Sequence, residues 1–87
     1  MSAAAPGFWM DETTGVLRPA VEAYLFDRPM SDAQIAAMRA YLRQWIASPL
    51  WRGPDIDRLR GMVDGLLDRP AIERWLDIAF DANLDPL

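Results

Sequence analysis

The sequence predicts an all-α fold. Residues 16–87 are expected to form a small single-domain bundle of about four helices, of which the first is short, and residues 1–15 are expected to form a flexible N-terminal tail. Apolar residues recur at three- and four-residue spacing over several separate stretches, which is the pattern of helices with one buried face. No stretch of useful length alternates between apolar and polar residues as a half-buried strand does. Prolines and turn residues separate the apolar stretches and therefore mark the expected helix boundaries.

The predicted tail carries an aromatic patch. Small residues and one proline dominate Met1–Gly7, and the three large apolar residues Phe8, Trp9 and Met10 follow. Phe8 or Trp9 is expected to fold back over one end of the bundle, because a core this small needs its aromatic residues. The alternative is an exposed anchor for a partner, since exposed aromatic residues mark interfaces.

The first helix is predicted over Pro19–Phe26. Proline is tolerated in the first turn of a helix, and Val21, Tyr24 and Leu25 supply a short apolar face. The helix is expected to end at Asp27-Arg28-Pro29, because a proline disfavours the α conformation of the residue before it.

The central helix is predicted over Ser31–Ser48, and the rest of the chain is expected to pack around it. Ser31 and Gln34 have the spacing of a capping box, and Pro49 opposes any continuation of the helix. The helix carries the clearest apolar stripe of the chain: Ile35, Met38, Leu42, Trp45 and Ile46, with Tyr41 at its edge.

The third helix is predicted to follow a loop over residues 49–54, with Asp55 as its N-cap. Its apolar stripe is Ile56, Leu59, Val63, Leu66 and Leu67, with Met62 nearby. Gly61 and Gly65 each weaken a helix by roughly 1 kcal/mol relative to alanine. Because they share one face, the sequence predicts the close approach of a neighbouring helix or aromatic ring there.

The final helix is predicted after Asp68-Arg69-Pro70. Its apolar stripe is Ile72, Trp75, Leu76, Ala79 and Phe80, with Leu84 as a further candidate. The phrase Asp-Arg-Pro also occurs at residues 27–29, but the residues between the two copies do not align. We therefore predict that the two copies adopt the same turn conformation and are not part of an internal repeat.

Composition limits the class of protein. The chain has 87 residues, 52% of them hydrophobic, and no cysteine, which favours one folded domain without disulfides or thiolate metal sites. No apolar run approaches the length of a membrane span, and no basic secretory leader is recognisable. A cytoplasmic protein is therefore expected. All nine basic residues are arginine, a codon bias typical of a high-GC bacterial or phage genome.

Catalytic chemistry is not expected. The sequence lacks histidine, cysteine and lysine, so the usual proton-transfer side chain near neutral pH and the thiolate and amine nucleophiles are all absent. Asp81, Asn83 and Asp85 have the spacing that opens a calcium loop, but Pro86 stands where glycine is required. We therefore predict no catalytic residue, no cofactor and no metal site.

The charges are unevenly distributed along the chain. Residues 1–38, 39–60 and 61–87 carry net charges of −3, +3 and −4. The middle segment holds five arginines, namely Arg39, Arg43, Arg52, Arg58 and Arg60. The preferred interpretation is solvated arginines that pair with the flanking acids. The alternative is a positive stripe that meets an acidic partner or a phosphate, although Asp55, Asp57 and the net charge of −4 disfavour nucleic acid.

The remaining hypothesis is recognition of another protein, because tryptophan, tyrosine and arginine are enriched at interface hot spots. Trp45 and Trp75 are predicted to be core residues. The candidate partner-binding residues are Phe8, Trp9, Arg39, Arg43, Trp51 and Arg52. We expect an accessory subunit, an adaptor or a phage-type inhibitor of a host protein. The alternatives are a self-assembling structural homo-oligomer and a nucleic-acid-binding domain that uses the segment from Arg39 to Arg60.

Overall fold

The computed structural model describes residues 15–87 of the chain. The predicted tail, apart from Gly15, and its residues Phe8 and Trp9 lie outside the described residues. The all-α fold is confirmed. Residues 15–87 form four α-helices and one short 3₁₀ helix: α1 (Leu17–Leu25), α2 (Asp32–Ile46), α3 (Pro54–Met62), the 3₁₀ helix (Val63–Gly65) and α4 (Arg69–Asp81). No helix in this part of the chain is both long and apolar enough to cross a bilayer.

The helices are arranged as two consecutive pairs around one core. α1 packs against α2, α3 packs against α4, and α2 contacts both α3 and the 3₁₀ helix. Consecutive helices joined by short connections commonly pack side by side in this way. The most deeply buried large side chains are Trp75, Met38, Leu42, Ile46, Leu59, Leu66, Ile72, Leu76 and Val21.

The start of α2 agrees with the predicted capping box. The Ser31 hydroxyl accepts a hydrogen bond from the Gln34 amide at 3.1 Å, and the Gln34 side-chain oxygen accepts one from the Ser31 amide at 2.9 Å. Two of the amides that a helix start leaves without partners are thereby satisfied. The predicted stripe is buried with one exception: Trp45 packs against the edge of the core and stays partly exposed.

α1 begins and ends earlier than predicted. It starts at Leu17, which is buried, and it ends at Leu25, which is 50% exposed. The small residues Ala20 and Ala23 occupy the buried face together with Val21. The assignment of Leu25 to the apolar face was therefore wrong.

α1 and α4 end in the same way. Asp27 follows α1 with φ of 56°, and Asn83 follows α4 with φ of 64°. In each case the next amide reaches back to the helix: Arg28 to the Ala23 carbonyl at 2.7 Å, and Leu84 to the Ala79 carbonyl at 2.9 Å. This is the Schellman arrangement, with aspartate and asparagine in the left-handed position that glycine usually takes.

The two Asp-Arg-Pro phrases adopt different conformations, so the prediction that they share one turn conformation was wrong. Asp27 lies in the left-handed region after α1, whereas Asp68 is extended and is the N-cap of α4, its carboxylate accepting from the Ala71 amide at 2.9 Å. The phrases nevertheless meet, because Arg69 donates to the Arg28 carbonyl at 2.5 Å and forms an ion pair with Asp27 at 3.4 Å.

α3 departs from the prediction at both ends. Its N-cap is Gly53, with φ of 121°, and Pro54 takes the first helical position, so Asp55 lies in the first turn. The helix changes to 3₁₀ geometry at Val63, which breaks the 3.6-residue periodicity. Leu66 remains buried, but Leu67 falls outside the stripe and is 68% exposed.

The glycines of this region have no close neighbour. A Cβ placed on Gly61 or Gly65 would meet no described atom within 4 Å outside its immediate surroundings. The predicted close approach of a helix or ring was therefore wrong.

Trp75 joins α3 to α4. Its side chain is fully buried, and the indole N–H donates to the Leu59 carbonyl at 2.9 Å. The partner satisfies the polar atom of a large buried ring, as buried tryptophans require. Phe80, predicted in the same stripe, is 43% exposed, so this part of the stripe was wrong. Phe80 is offset from the buried Ala79 by the 100° that separates consecutive helical residues.

The last residues return to α2. Pro86 is buried, and its carbonyl accepts a hydrogen bond from the Tyr41 hydroxyl at 2.5 Å. Burial, together with the nearby carboxylate of Asp85, raises the pKa of Tyr41 to about 12. The protonated hydroxyl is therefore the form that the folded chain stabilises.

Candidate protein-interaction surface

The loop between α2 and α3 carries the most exposed large apolar side chain of residues 15–87. Leu50 lies in this loop, which spans residues 47–53, and it is 82% exposed. Single exposed apolar residues are common on protein surfaces. The importance of Leu50 depends on how firmly the loop around it is held.

The side chain of Arg60 on α3 holds this loop by hydrogen bonds to backbone carbonyls of the loop and of the end of α2. Its Nε donates to the Ile46 carbonyl at 2.8 Å, and its Nη2 donates to the carbonyls of Ser48 at 3.0 Å and Trp51 at 3.1 Å. The planar guanidinium suits several acceptors at once. Its positive charge also lies at the C-terminus of α2, where a cation is favoured.

The two tryptophans next to the loop form a second support. The Trp51 ring lies 4.8 Å from the Trp45 ring between centroids, and the Trp51 indole donates to the Trp45 carbonyl at 3.1 Å. Both side chains are partly buried against the core. Ser48 completes the turn, since its hydroxyl accepts from the Leu50 amide at 3.3 Å and its carbonyl from the Trp51 amide at 3.2 Å.

An open groove lies beside the loop, between the C-terminal part of α2 on one side and α3 with the 3₁₀ helix on the other. Its volume is about 420 Å³, and its lining comes from α2 and its end (Arg43, Ile46, Ala47), from α3 (Arg60) and from the 3₁₀ helix (Val63, Asp64). Ile46 and Val63 supply apolar walls. Arg43 and Asp64 form an ion pair across the two elements. Arg60 belongs to both the groove and the support of the loop. We call the loop and this groove together the Leu50 surface.

The predicted site residues are only partly brought together. Trp51 and Arg52 lie in the loop, and Arg43 lines the groove, so these three residues belong to the Leu50 surface. Arg39 has a different role: it is partly buried, and its Nη1 donates to the Leu66 carbonyl at 3.0 Å. Trp51 itself supports the loop more than it projects from it.

The predicted pairing of the arginines with acids is correct for Arg43 alone among the five arginines of the segment. Arg39 and Arg60 bind backbone carbonyls, and Arg52 and Arg58 are exposed with no ion pair among the described residues. Asp55 and Asp57 of the same segment are also exposed and have no ion pair among the described residues.

Two important residues were not predicted from the sequence. Leu50 follows a proline in a loop, and a large apolar residue in that position indicates either a buried anchor or an exposed one. No local sequence pattern identifies the role of Arg60, because its three carbonyl partners precede it by 9 to 14 residues in the chain. Only the packing of α3 against the end of α2 brings them together.

The described residues contain no group of three or more side chains of the types that hold a metal ion. Comparisons of the chain with protein-family models, with curated proteins and with solved structures give no significant match.

Proposed function

We propose that this chain is a small, non-catalytic protein-interaction module that binds another protein through the Leu50 surface. The observation that carries the proposal is the 82% exposure of Leu50 on a loop held by the three hydrogen bonds of Arg60. A partner that covered Leu50 would gain roughly 1.5–3 kcal/mol from the burial of that side chain.

The support of the loop strengthens this interpretation. Ordering a flexible loop on binding consumes part of the interaction energy, whereas a loop that is already held does not carry that cost. Arg60 and the Trp45–Trp51 contact hold the loop from two sides. The Leu50 surface also contains tryptophan and arginine, two of the residue types enriched at binding hot spots.

The composition supports a role by contact rather than by chemistry. The sequence holds no histidine, cysteine or lysine, and the charged residues that line the groove are two arginines and one aspartate. An adaptor, an accessory subunit or an inhibitor that covers a host protein would each act in this way. A cytoplasmic location fits a chain without cysteine.

Site-specific photo-cross-linking in cells tests the proposal. A photoreactive phenylalanine analogue is introduced at Leu50, and the same analogue at Leu67 is the matched control. Both positions are exposed loop leucines, at 82% and 68%, and Leu67 lies outside the Leu50 surface. We expect one discrete cross-linked protein from position 50 and none from position 67.

Two results would contradict the proposal. Equal cross-linking from both positions would indicate nonspecific contact. No cross-link from position 50, in cells that express the folded protein, would leave the Leu50 surface without a partner.

Self-assembly is the second candidate, and a separate observation favours it. Leu25 and Phe26 are consecutive at the end of α1 and are 50% and 64% exposed. Contiguous exposed apolar surface marks interaction sites, and most soluble oligomers are symmetric assemblies of identical chains. Sedimentation velocity over a wide range of concentrations tests it: a dimer that Phe26→Asp dissolves would support self-assembly, and a monomer at every concentration would exclude it.

A further inference from the structure

From the chemistry of the Leu50 surface we infer that its partner is a protein segment with a large apolar anchor flanked by acidic side chains. The inference rests on the proposed function, since it names the chemistry of what the same surface binds. It follows from the groove, from the hydrogen-bonding groups around it, and from the balance of charge.

The groove beside Leu50 is open rather than enclosed. Its apolar walls are Ile46, Ala47 and Val63, and Leu50 stands exposed on the adjoining loop. A large aliphatic or aromatic side chain of a partner can lie against these walls while the chain around it covers Leu50.

The polar groups that surround this apolar centre are mainly donors. Arginine carries five N–H groups and no acceptor. Arg60 uses Nε and Nη2 on carbonyls, which leaves Nη1 without an acceptor among the described residues. Arg52 is exposed in the loop and has no hydrogen bond to any described residue. When a partner removes water from these groups, carboxylates are the acceptors that satisfy them best.

The acids near the surface do not cancel this preference. Asp64 is paired with Arg43. Asp55 and Asp57 lie in the first turn of α3, where the partial positive charge of a helix N-terminus offsets part of an anion's field. The charges of Arg52, Arg58 and Arg60 have no ion-pair partner within residues 15–87.

A protein segment fits better than a nucleic acid. Nucleic-acid binding needs an extended basic footprint that follows many phosphates, and the Leu50 surface has only two arginines, Arg52 and Arg60, without an ion pair among the described residues. Nucleic acid would also leave the apolar groove and Leu50 without a matching side chain.

A peptide-display selection tests the inference. The purified protein selects from a library of random 15-residue peptides, and Leu50→Asp protein removes the peptides that do not depend on the Leu50 surface. We expect the surviving peptides to share a large apolar residue with two or more Asp or Glu residues near it.

Charge reversal provides the matched test. Arg52→Glu should weaken a selected peptide about fivefold or more at 0.1 M salt, because Arg52 lies in the loop of the Leu50 surface, and the same peptide with its acids changed to Lys should regain affinity for this variant. Arg74→Glu is the control, because Arg74 is exposed on α4 with no ion pair among the described residues. It should change the affinity by less than twofold.

The outcomes separate this inference from the proposed function. Peptides that depend on Leu50 but carry basic or neutral flanks, or that ignore the charge reversal, would overturn the inference and leave the proposed function standing. A library that yields no Leu50-dependent peptide would overturn both. Binding of a random single-stranded RNA that is abolished by the charge reversal would also overturn the inference, because the surface would then bind nucleic acid. A dimer of the protein that dissociates on Leu50→Asp would overturn it as well, because the surface would then bind a second copy of the chain.

Discussion

Three arginines satisfy the carbonyl groups that the ends of helices leave open. Arg60 binds carbonyls at the end of α2, Arg69 binds those at the end of α1, and Arg39 binds the Leu66 carbonyl beyond the 3₁₀ helix. A helix end presents four carbonyls without an intrahelical partner and a partial negative charge. A guanidinium from another element meets both needs, so these side chains connect the elements of the fold.

Arg69 binds three carbonyls, as Arg60 does, and it also forms ion pairs with Asp27 and Glu73, so its loss should have the clearest effect on stability. It donates to the Tyr24 carbonyl at 2.9 Å and the Arg28 carbonyl at 2.5 Å, and its guanidinium lies 5.4 Å from the Tyr24 ring centroid. We expect Arg69→Met to lower the free energy of unfolding by about 2–4 kcal/mol, because several charge-assisted hydrogen bonds are lost together. Urea unfolding provides the measurement.

Two further variants make the Arg69 test specific. Arg69→Lys should remain destabilised, since a single ammonium cannot reproduce the geometry of the guanidinium. Arg74→Met on the same helix should change stability by less than about 0.5 kcal/mol, as exposed substitutions usually do. A fully stable Arg69→Lys protein would show that charge alone is sufficient.

Tyr41 makes the stability depend on alkaline pH. Burial, and secondly the carboxylate of Asp85, raise its pKa to about 12, above the ordinary value of 10.0. The unfolded chain therefore loses this proton near pH 10, while the folded chain keeps it until about pH 12. The stabilisation is complete below pH 10 and is lost as the pH rises through this range.

The stability of Tyr41→Phe should depend less on alkaline pH than that of the wild-type protein. Between pH 10 and 12, the free energy of unfolding of the wild-type protein should fall more steeply than that of Tyr41→Phe, measured by chemical denaturation at fixed salt. Tyr24→Phe is the control, because Tyr24 is only partly buried and should retain most of the wild-type slope. Parallel curves for wild type and Tyr41→Phe would contradict the role given to Tyr41.

At this scale the sequence identified residues with local partners better than residues with distant ones. The Ser31–Gln34 capping box lies within one helical turn, and its hydrogen bonds were predicted correctly. The Arg69 partners lie 41 to 46 residues away along the chain, apart from Glu73. Local spacing contains no information about such contacts.

Among the helices, α3 is the least favoured by its own sequence. Gly61 lies inside it and is exposed, and an added Cβ would meet no described atom within 4 Å. Gly53 at its N-terminus is different, because its φ of 121° is a conformation that other residues rarely adopt. The two glycines should therefore respond to alanine in opposite directions.

We expect Gly61→Ala to raise the free energy of unfolding by about 0.5–1 kcal/mol, since alanine restricts the unfolded chain and favours a helix. Gly53→Ala should lower it by about 1 kcal/mol or more, because of the strained backbone. Thermal and urea unfolding of the two variants provide the measurement. A destabilised Gly61→Ala protein would indicate an unrecognised contact at that face.

The elements themselves were predictable, and their ends were less so. Apolar periodicity located all four helices, because each must bury one face. It failed where the backbone departs from α geometry: the 3₁₀ helix turns Leu67 outward, and Gly53 rather than Asp55 caps α3. The groove follows from the packing of α2 against the 3₁₀ helix, so it was not predictable from any one stripe.

At the scale of the whole molecule, Trp75 is the most deeply buried tryptophan of residues 15–87. Trp75 is fully buried and bonded to Leu59, whereas Trp45 packs at the edge of the core. Both were predicted to be core residues. Only Trp75 is fully buried, so its truncation to alanine should lower the free energy of unfolding by roughly 3–5 kcal/mol.

Trp75→Ala should therefore remove a large part of the stability, because native proteins have only about 5–15 kcal/mol in total. Trp45→Ala should cost less, about 2 kcal/mol, and should loosen the α2–α3 loop through the loss of the Trp51 contact. Circular dichroism during thermal unfolding ranks the two variants. A Trp45 variant less stable than the Trp75 variant would reverse this order and contradict the placement of the core.

The most direct test of the Leu50 surface is a quantitative affinity capture from an extract of the cells that express the chain. Wild type, Leu50→Asp and Leu67→Asp serve as baits at equal amounts, after each is shown to be folded. We expect one protein, captured in stoichiometric amount by the wild-type and Leu67→Asp baits and lost with Leu50→Asp. A partner captured equally by all three baits would place the binding site elsewhere on the molecule and contradict the proposed function of the Leu50 surface.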